Sequence, residues 1–154
     1  MTGWLKIVSL FVCLTGVLAF APGVTGEESG FKQYRENVLK QIEEIKAALK
    51  KDPSDARGHF QLGLSYMALG RHREEVTQYL EAVRLKPDYA DAHFNLGLAY
   101  DLLENGALAI GHMQKARQIY SADRNHRGVR ASQRYVRTFN GKYGPQSTEG
   151  TERE

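Results

Sequence analysis

The stretch HFQLGLSY at residues 59–66 returns as HFNLGLAY at residues 93–100, a distance of 34 residues, with six of eight positions identical. Self-similarity at this period is typical of repeated helix-turn-helix units. One such unit cannot bury its apolar face alone, so successive units stack on one another. The sequence therefore predicts an all-α solenoid of antiparallel helix pairs, an architecture that offers a concave docking surface more often than a catalytic site.

Apolar periodicity and breaker residues predict about six helices. Apolar side chains at three- and four-residue steps indicate a first helix over 31–51, which Pro53 ends. The other helices are predicted over 56–69, 72–85, 90–103, 107–120 and 124–140. Gly70 and the pair Asn105–Gly106 are predicted as turns inside the two hairpins. Residues 27–30 are interpreted as a polar linker and residues 141–154, which are poor in apolar side chains, as a disordered tail.

These residues resemble the tetratricopeptide repeat (TPR) family, whose 34-residue unit carries Leu-Gly-x-x-Tyr, an alanine and a closing proline. The unit 56–89 matches that pattern at Leu62, Gly63, Tyr66, Gly70, Tyr79, Ala82, Leu85 and Pro87. The unit 90–123 matches it at Leu96, Gly97, Tyr100, Ala109, Ala116 and Ile119. The resemblance implies a short TPR domain over 31–140, made of a half-unit (31–55), the two repeats and a capping helix (124–140).

The same resemblance implies close helix packing at two glycines. Gly63 and Gly97 let the paired helices approach, and Tyr66 and Tyr100 are expected to fill the gap beside them.

A concave groove is the second implication of the resemblance, because the first helix of each unit lines the inner surface of a TPR stack. Nine side chains fall there by register: Arg57, Phe60, Leu64, Met67, Asp91, Phe94, Leu98, Asp101 and Leu102. They predict a mainly apolar groove for a helix or an extended peptide, anchored by Phe60 and Phe94. Leu64 and Leu98 have an alternative interpretation as helix-packing core.

Two further inferences concern the occupant of this groove. Phe60 and Phe94 stand where a clamp for a C-terminal carboxylate would need lysines, so no such clamp is expected. The protein's own N-terminal segment or a second copy stays open as an alternative occupant, because two and a half units bury little core; self-association is therefore possible.

Five arginines form a basic stripe near the C-terminus: Arg124, Arg127, Arg130, Arg134 and Arg137. At about 100° per residue they fall within an arc of roughly 140°. The simpler interpretation is the solvent face of a capping helix. The alternative is a basic patch for an acidic partner or anionic lipid headgroups. No base-reading motif accompanies the stripe, so nucleic acid is not an expected partner.

The N-terminus has the pattern of an export signal. Lys6 precedes a charge-free stretch over 7–26, which Pro22 and Gly23 interrupt before Glu27. We interpret residues 1–26 as a signal peptide. The alternative is a membrane anchor, since twenty residues barely span a bilayer of about 30 Å. Either interpretation predicts an exported domain, periplasmic or anchored in the inner membrane and facing the periplasm.

Chemistry-bearing motifs are absent from the sequence. Cys13 is the single cysteine, so disulfides and cysteine metal clusters are excluded. The five histidines lack the spacing of a metal site, and a packing role is favoured over metal binding; they are His59, His72, His93, His112 and His126. A net charge of +3 indicates no particular ligand class. We therefore expect no cofactor, no metal and no catalysis.

These observations together predict an exported bacterial TPR adaptor that holds envelope proteins in its groove and assists assembly of a complex. The alternative is a membrane-peripheral protein that uses its N-terminal segment as an anchor and its basic helix as a lipid contact.

Overall fold

The computed structural model describes the backbone of residues 24–144 and the side chains of residues 29–144. Over those residues the chain forms six α-helices and no strand: α1 Val24–Lys51, α2 Ala56–Ala68, α3 His72–Leu85, α4 Ala90–Leu102, α5 Gly106–Ala122 and α6 His126–Tyr143. The predicted all-α solenoid of about six helices is confirmed. None of the helices in this described part is both long and apolar enough to cross a membrane.

The chain divides into two compact units within α1, between Arg35 and Glu36. In the first unit, the guanidinium of Arg35 lies 6.0 Å from the centre of the Phe31 ring. Phe31 and Tyr34 are exposed. The second unit contains the remainder of α1 and all the other helices.

Helix α1 begins earlier than the sequence predicts. The polar linker expected over 27–30 is helical, and the helix starts at Val24 instead of Phe31. No proline stands between Pro22 and Pro53 to stop the helix, and a single interior glycine such as Gly30 costs only about 1 kcal/mol. Most of the predicted signal, residues 1–23, lies outside the described residues, so export stays a prediction.

The two hairpins turn at equivalent residues, 34 positions apart. Gly70 has a φ of +69° and Glu104 a φ of +57°, both in the left-handed region. Asn105 then caps α5, since its side-chain oxygen accepts the N–H of Leu108 at 3.3 Å. The turn predicted at Asn105–Gly106 is therefore one position late: Glu104 takes the strained conformation, and Gly106 is already helical.

Gly63 and Gly97 do lie at close helix contacts, but tyrosines 66 and 100 do not fill the gaps. Gly63 faces the ring of Tyr79, and Gly97 faces Met113. Tyr79 and Met113 are fully buried, and they too are 34 positions apart. The side chain directly opposite on the second helix of each pair fills the space, so the expected filling role of Tyr66 and Tyr100 was wrong.

Tyr66 and Tyr100 serve other contacts. Tyr66 is buried with Val38, Ile42 and Leu62, which places α1 against α2. Tyr100 stacks on His112 with ring centres 5.5 Å apart.

Helix α6 covers α5 through buried Ser132, Val136 and Phe139. It starts at His126, not at Arg124: Arg124 is left-handed at φ +55°, and Asn125 caps the helix by accepting the N–H of Gly128. Arg124 therefore lies in the connection and not on the helix.

The C-terminal end of α6 extends past the predicted boundary at Asn140. The Tyr143 ring packs over Gly106, and its hydroxyl donates to Oδ1 of Asp101 at 2.8 Å. Lys142 Nζ also donates to that oxygen at 2.8 Å. The predicted tail boundary at 141 was wrong because the contact between Tyr143 and Asp101, which are 42 residues apart in sequence, extends the helix. Residues 145–154 lie outside the described part.

Candidate functional site on the inner face of α2 and α4

A pocket of about 470 Å³ lies beside α2. Its lining contains three of the residues predicted for the groove, namely Arg57, Phe60 and Leu64. Ala56 and Gln61 complete the contribution of α2, and Lys86 and Tyr89 come from the connection between α3 and α4. The repeat pattern in the sequence does not predict those last two residues.

Local sequence explains how α2 presents this surface. Asp55 caps the helix, because its Oδ1 accepts the N–H of Arg57 at 3.0 Å. Positions 57, 60, 61 and 64 then share one helix face at three- and four-residue steps. The ring of Phe60 lies between two tyrosines, 5.5 Å from the ring centre of Tyr79 and 4.9 Å from that of Tyr89. Phe60 is thus held in one orientation while remaining half-exposed.

The rim of the pocket is cationic. Arg57 and Lys86 are exposed, and no carboxylate is among the seven lining residues. The ammonium of Lys86 lies 5.2 Å from the centre of the Tyr89 ring. Burial, assisted by the charge of Asp91, raises the pKa of Tyr89 above its ordinary value, so its hydroxyl stays protonated. The pocket therefore combines an apolar floor with two positive charges and one phenol.

The equivalent region of the second repeat packs against α6. Phe94 meets Tyr120 with ring centres 6.5 Å apart and Tyr135 of α6 edge-on at 5.5 Å. The hydroxyl of Tyr120 donates to Asp91. Phe94 and Asp91 were predicted for the groove, but both make contacts inside the domain: Phe94 with Tyr135 of α6 and Asp91 with Tyr120 of α5.

The remaining predicted groove residues are dispersed. Burial acts to raise the pKa of Asp101, but hydrogen bonds from Lys142 and Tyr143 hold it below its ordinary value. Leu98 is half-buried against the cluster of Met113, Val136 and Phe139. Met67 and Leu102 are exposed at 42% and 58%. Arg57, Phe60 and Leu64 are thus the members of the predicted set that line one pocket.

Histidines contribute to packing between the helices of each pair. His59 Nδ1 lies 2.9 Å from Gln78 Oε1, and His93 Nδ1 lies 3.0 Å from His112 Nδ1. Within the part of the chain that the structure describes, no three His, Cys, Asp or Glu side chains could together hold a metal ion. His72 instead bonds the buried Glu75 at 2.8 Å.

Comparison with known proteins identifies the repeat. Residues 65–103 match the family described as TPR repeat. This part of the chain carries a tetratricopeptide repeat. No curated protein matches this TPR chain, whereas many solved structures do.

Three of these structures illustrate the likeness. PcrH in complex with the chaperone binding region of PopD is 18% identical, with a TM-score of 0.66 over 75% of this chain and 89% of that one. The TPR2B domain of yeast Sti1, in a complex with pHsp70, is 19% identical, with a TM-score of 0.64 over 76% and 91%. The Yersinia enterocolitica type III secretion chaperone SycD, with a peptide of the translocator YopD, is 14% identical, with a TM-score of 0.65 over 75% and 89%. At these identities the likeness concerns the fold of the TPR chain.

Proposed function

We propose that this TPR chain is an adaptor that binds a segment of a partner protein in the pocket around Phe60. The observation that carries the proposal is the pocket itself: Phe60, Leu64 and Tyr89 form an apolar floor between the cations Arg57 and Lys86. Its volume of about 470 Å³ is within the range of ordinary ligand sites. It accommodates one large apolar side chain and the backbone on either side of it.

The energetics favour Phe60 as the anchor of such an interface. Large aromatic side chains that are already fixed by their neighbours lose little conformational entropy on binding, and they dominate interface energies. Tyr79 and Tyr89 fix the Phe60 ring in the free protein. The two cations favour partner segments that carry an acidic side chain next to the apolar anchor.

The structures that resemble this chain give independent support. Two of them hold a peptide or a binding region of another protein, PopD in one and YopD in the other. A third is described as a complex with pHsp70. A TPR fold of this size is thus compatible with segment binding, which is the activity that we propose here.

We further propose that the adaptor is exported and acts in assembly of an envelope complex. Support for this part comes from the sequence alone: Lys6, the charge-free stretch over 7–26 and the break at Pro22 have the composition of an export signal.

Two leucine variants test the binding proposal. Leu64 lines the pocket, whereas Leu80 lies on α3 and is 39% exposed. Leu64 also packs against the buried Tyr79 and Leu96, so thermal unfolding of each variant separates lost binding from lost packing. Tagged full-length chains with Leu64→Gln or Leu80→Gln would be compared with the parent in quantitative capture from detergent-solubilised envelope. We expect Leu64→Gln to lose at least about tenfold of the captured partner and Leu80→Gln to retain it. Equal capture by both variants would contradict the assignment of the pocket.

A further inference from the structure

Four arginines of α6 form a single face of that helix, which we call the arginine face: Arg127, Arg130, Arg134 and Arg137. Successive residues advance about 100°, so the four fall within roughly 80°, and they extend over about 15 Å of helix axis. All four are exposed. The buried side chains Ser132, Val136 and Phe139 lie on the opposite side of the helix and pack inward, so the arginine face is directed to solvent.

The charges on this face have no carboxylate partner within the described residues, although the guanidinium of Arg134 lies 5.7 Å from the centre of the Tyr135 ring. No ion pair of residues 29–144 includes any of the four arginines. Other helices place opposite charges three apart, as in Glu43–Lys46 and Glu81–Arg84. Helix α6 instead places arginines three and four apart, an arrangement of like charges that destabilises a helix by a few tenths of a kcal/mol per pair. An anionic partner would relieve this repulsion.

The surrounding sequence extends the same charge bias. Residues 105–144 contain eight Lys and Arg but one acidic residue, Asp123. Lys115 and Arg117 add two exposed cations on α5. A field of one sign over two helices attracts anions from a distance.

The arginine face has no apolar anchor. Gly141 is the other residue within that arc by helical position, and Thr138 and His126 lie about 20° beyond its two edges. None of these three has a large apolar side chain. A stable protein interface has a buried apolar centre with large anchoring side chains. A surface of repeated phosphates needs no such centre, since each headgroup near a cation contributes separately.

The same chain carries the charge-free stretch over 7–26, which is predicted either to pass through a membrane during export or to remain there. The geometry points to a second docking surface, independent of the pocket around Phe60: the arginine face of α6 binds anionic lipid headgroups. The partner is a membrane surface, recognised by charge density and not by shape.

Vesicle flotation of the full chain tests this inference. Partition onto neutral phosphatidylcholine vesicles and onto vesicles with 30% phosphatidylglycerol would be measured at low and at high salt. The ratio of the two partition coefficients isolates charge, because the apolar N-terminal stretch contributes to both vesicle types. Each arginine near an anionic surface is worth about fivefold, so we expect a ratio well above ten at low salt that falls with added salt.

Three variants define the site. Replacing all four arginines by glutamine should lower the ratio at least tenfold, whereas replacing them by lysine should retain it. The control K32Q/K50Q/K51Q/R73Q removes the same charge from exposed positions elsewhere and should keep most of the ratio. Circular dichroism checks that helicity is unchanged in each chain.

Four outcomes would overturn the inference. The first is a partition ratio near one for the parent, and the second is an equal loss of that ratio in the glutamine variant and in the control. The third is arginine-dependent binding to duplex DNA or to an acidic protein without a preference for anionic vesicles. The fourth is a vesicle preference that appears only when Glu149, Glu152 and Glu154 are replaced by glutamine. The last result would identify the chain's own C-terminal segment as the occupant.

Discussion

The Nδ1 atoms of His93 and His112 lie 3.0 Å apart between α4 and α5. His93 Nε2–H donates to the carbonyl of Pro87 at 3.2 Å, so a neutral His93 accepts at Nδ1 and His112 Nδ1–H is the donor. In the first repeat the equivalent His59 lies with Nε2 3.2 Å from the carbonyl of Pro53 and Nδ1 2.9 Å from Gln78 Oε1. That oxygen is an acceptor, where the second repeat has the donor His112 Nδ1–H. The repeats thus place a bridge at equivalent positions but differ in the partner on the second helix, which is Gln78 in one and His112 in the other.

Acid should destabilise the second repeat through this pair. Burial, followed by the charge of neighbouring His93, lowers the pKa of His112 to about 4, against about 6.5 in an unfolded chain. Between pH 6.5 and pH 4 the unfolded chain therefore binds a proton that the folded chain does not, so stability falls as the pH falls through this window. We expect a loss of about 2 kcal/mol at pH 4.5, measured by urea unfolding at several pH values.

His112→Gln should reduce that acid loss, because it removes one of the two buried histidine rings of the pair. His93 remains, and burial lowers its pKa as well, so part of the loss should persist. His126→Gln, at an exposed histidine of α6, is the control for the loss of one histidine. An undiminished acid loss in His112→Gln would show that other groups are responsible.

Gly63→Ala should destabilise the domain by about 2 kcal/mol, because the added Cβ would collide with the ring of the fully buried Tyr79. Gly111→Ala is the matched control: it is also helical, but its added Cβ would meet nothing within 4 Å. That change should raise the free energy of unfolding by up to about 1 kcal/mol through helix propensity. Thermal unfolding of both variants checks that their stabilities change in opposite directions. This difference would be absent if α2 and α3 did not meet at Gly63.

Tyr79→Phe should leave stability unchanged or raise it by up to about 1 kcal/mol. The hydroxyl of Tyr79 is buried and has no hydrogen-bond partner among the described residues, so its removal relieves a desolvation cost. Tyr120→Phe should instead lower stability by about 1 kcal/mol, since the Tyr120 hydroxyl donates to Asp91. The denaturant midpoint of each variant would be compared with that of the parent. Midpoints that fell in both variants would contradict this difference.

The end of α6 should be needed for a stable fold. A chain ended after Gly144 should unfold at the same temperature as the full chain. A chain ended after Gly141 loses the Tyr143 ring over Gly106 and both donors to Asp101, and we expect a loss of about 2 kcal/mol. Equal melting temperatures for the two truncations would place the domain boundary back at residue 141.

The repeat period predicted most of the fold because it depends on local signals. Each of α2 to α5 matches its predicted bounds within two residues, since Pro53, Gly70 and Pro87 interrupt the apolar periodicity at the right places. The errors come from contacts that are distant in sequence. Nothing near Tyr143 indicates its bond to Asp101, and nothing near Phe94 indicates that Tyr135 will cover it.

The pocket, too, depends partly on contacts that are distant in sequence. The spacing of Arg57, Phe60 and Leu64 places them on one helix face, whereas Lys86 and Tyr89 reach the pocket only through the path of the α3–α4 connection. Glu104 illustrates the opposite case: local preference favours Gly106 for the left-handed residue, but the hairpin geometry repeated from Gly70 places that conformation at Glu104.

The most direct test of the binding pocket is site-specific photo-cross-linking in the native envelope. A photoreactive phenylalanine analogue would replace Gln61, which lines the pocket, or Gln114, an exposed glutamine of α5. We predict a discrete adduct between position 61 and one partner segment, absent at position 114 and lost when Leu64→Gln is added. The same adducts from both positions, or none from position 61 while position 114 reacts, would contradict the proposal that this chain holds a partner in the pocket around Phe60.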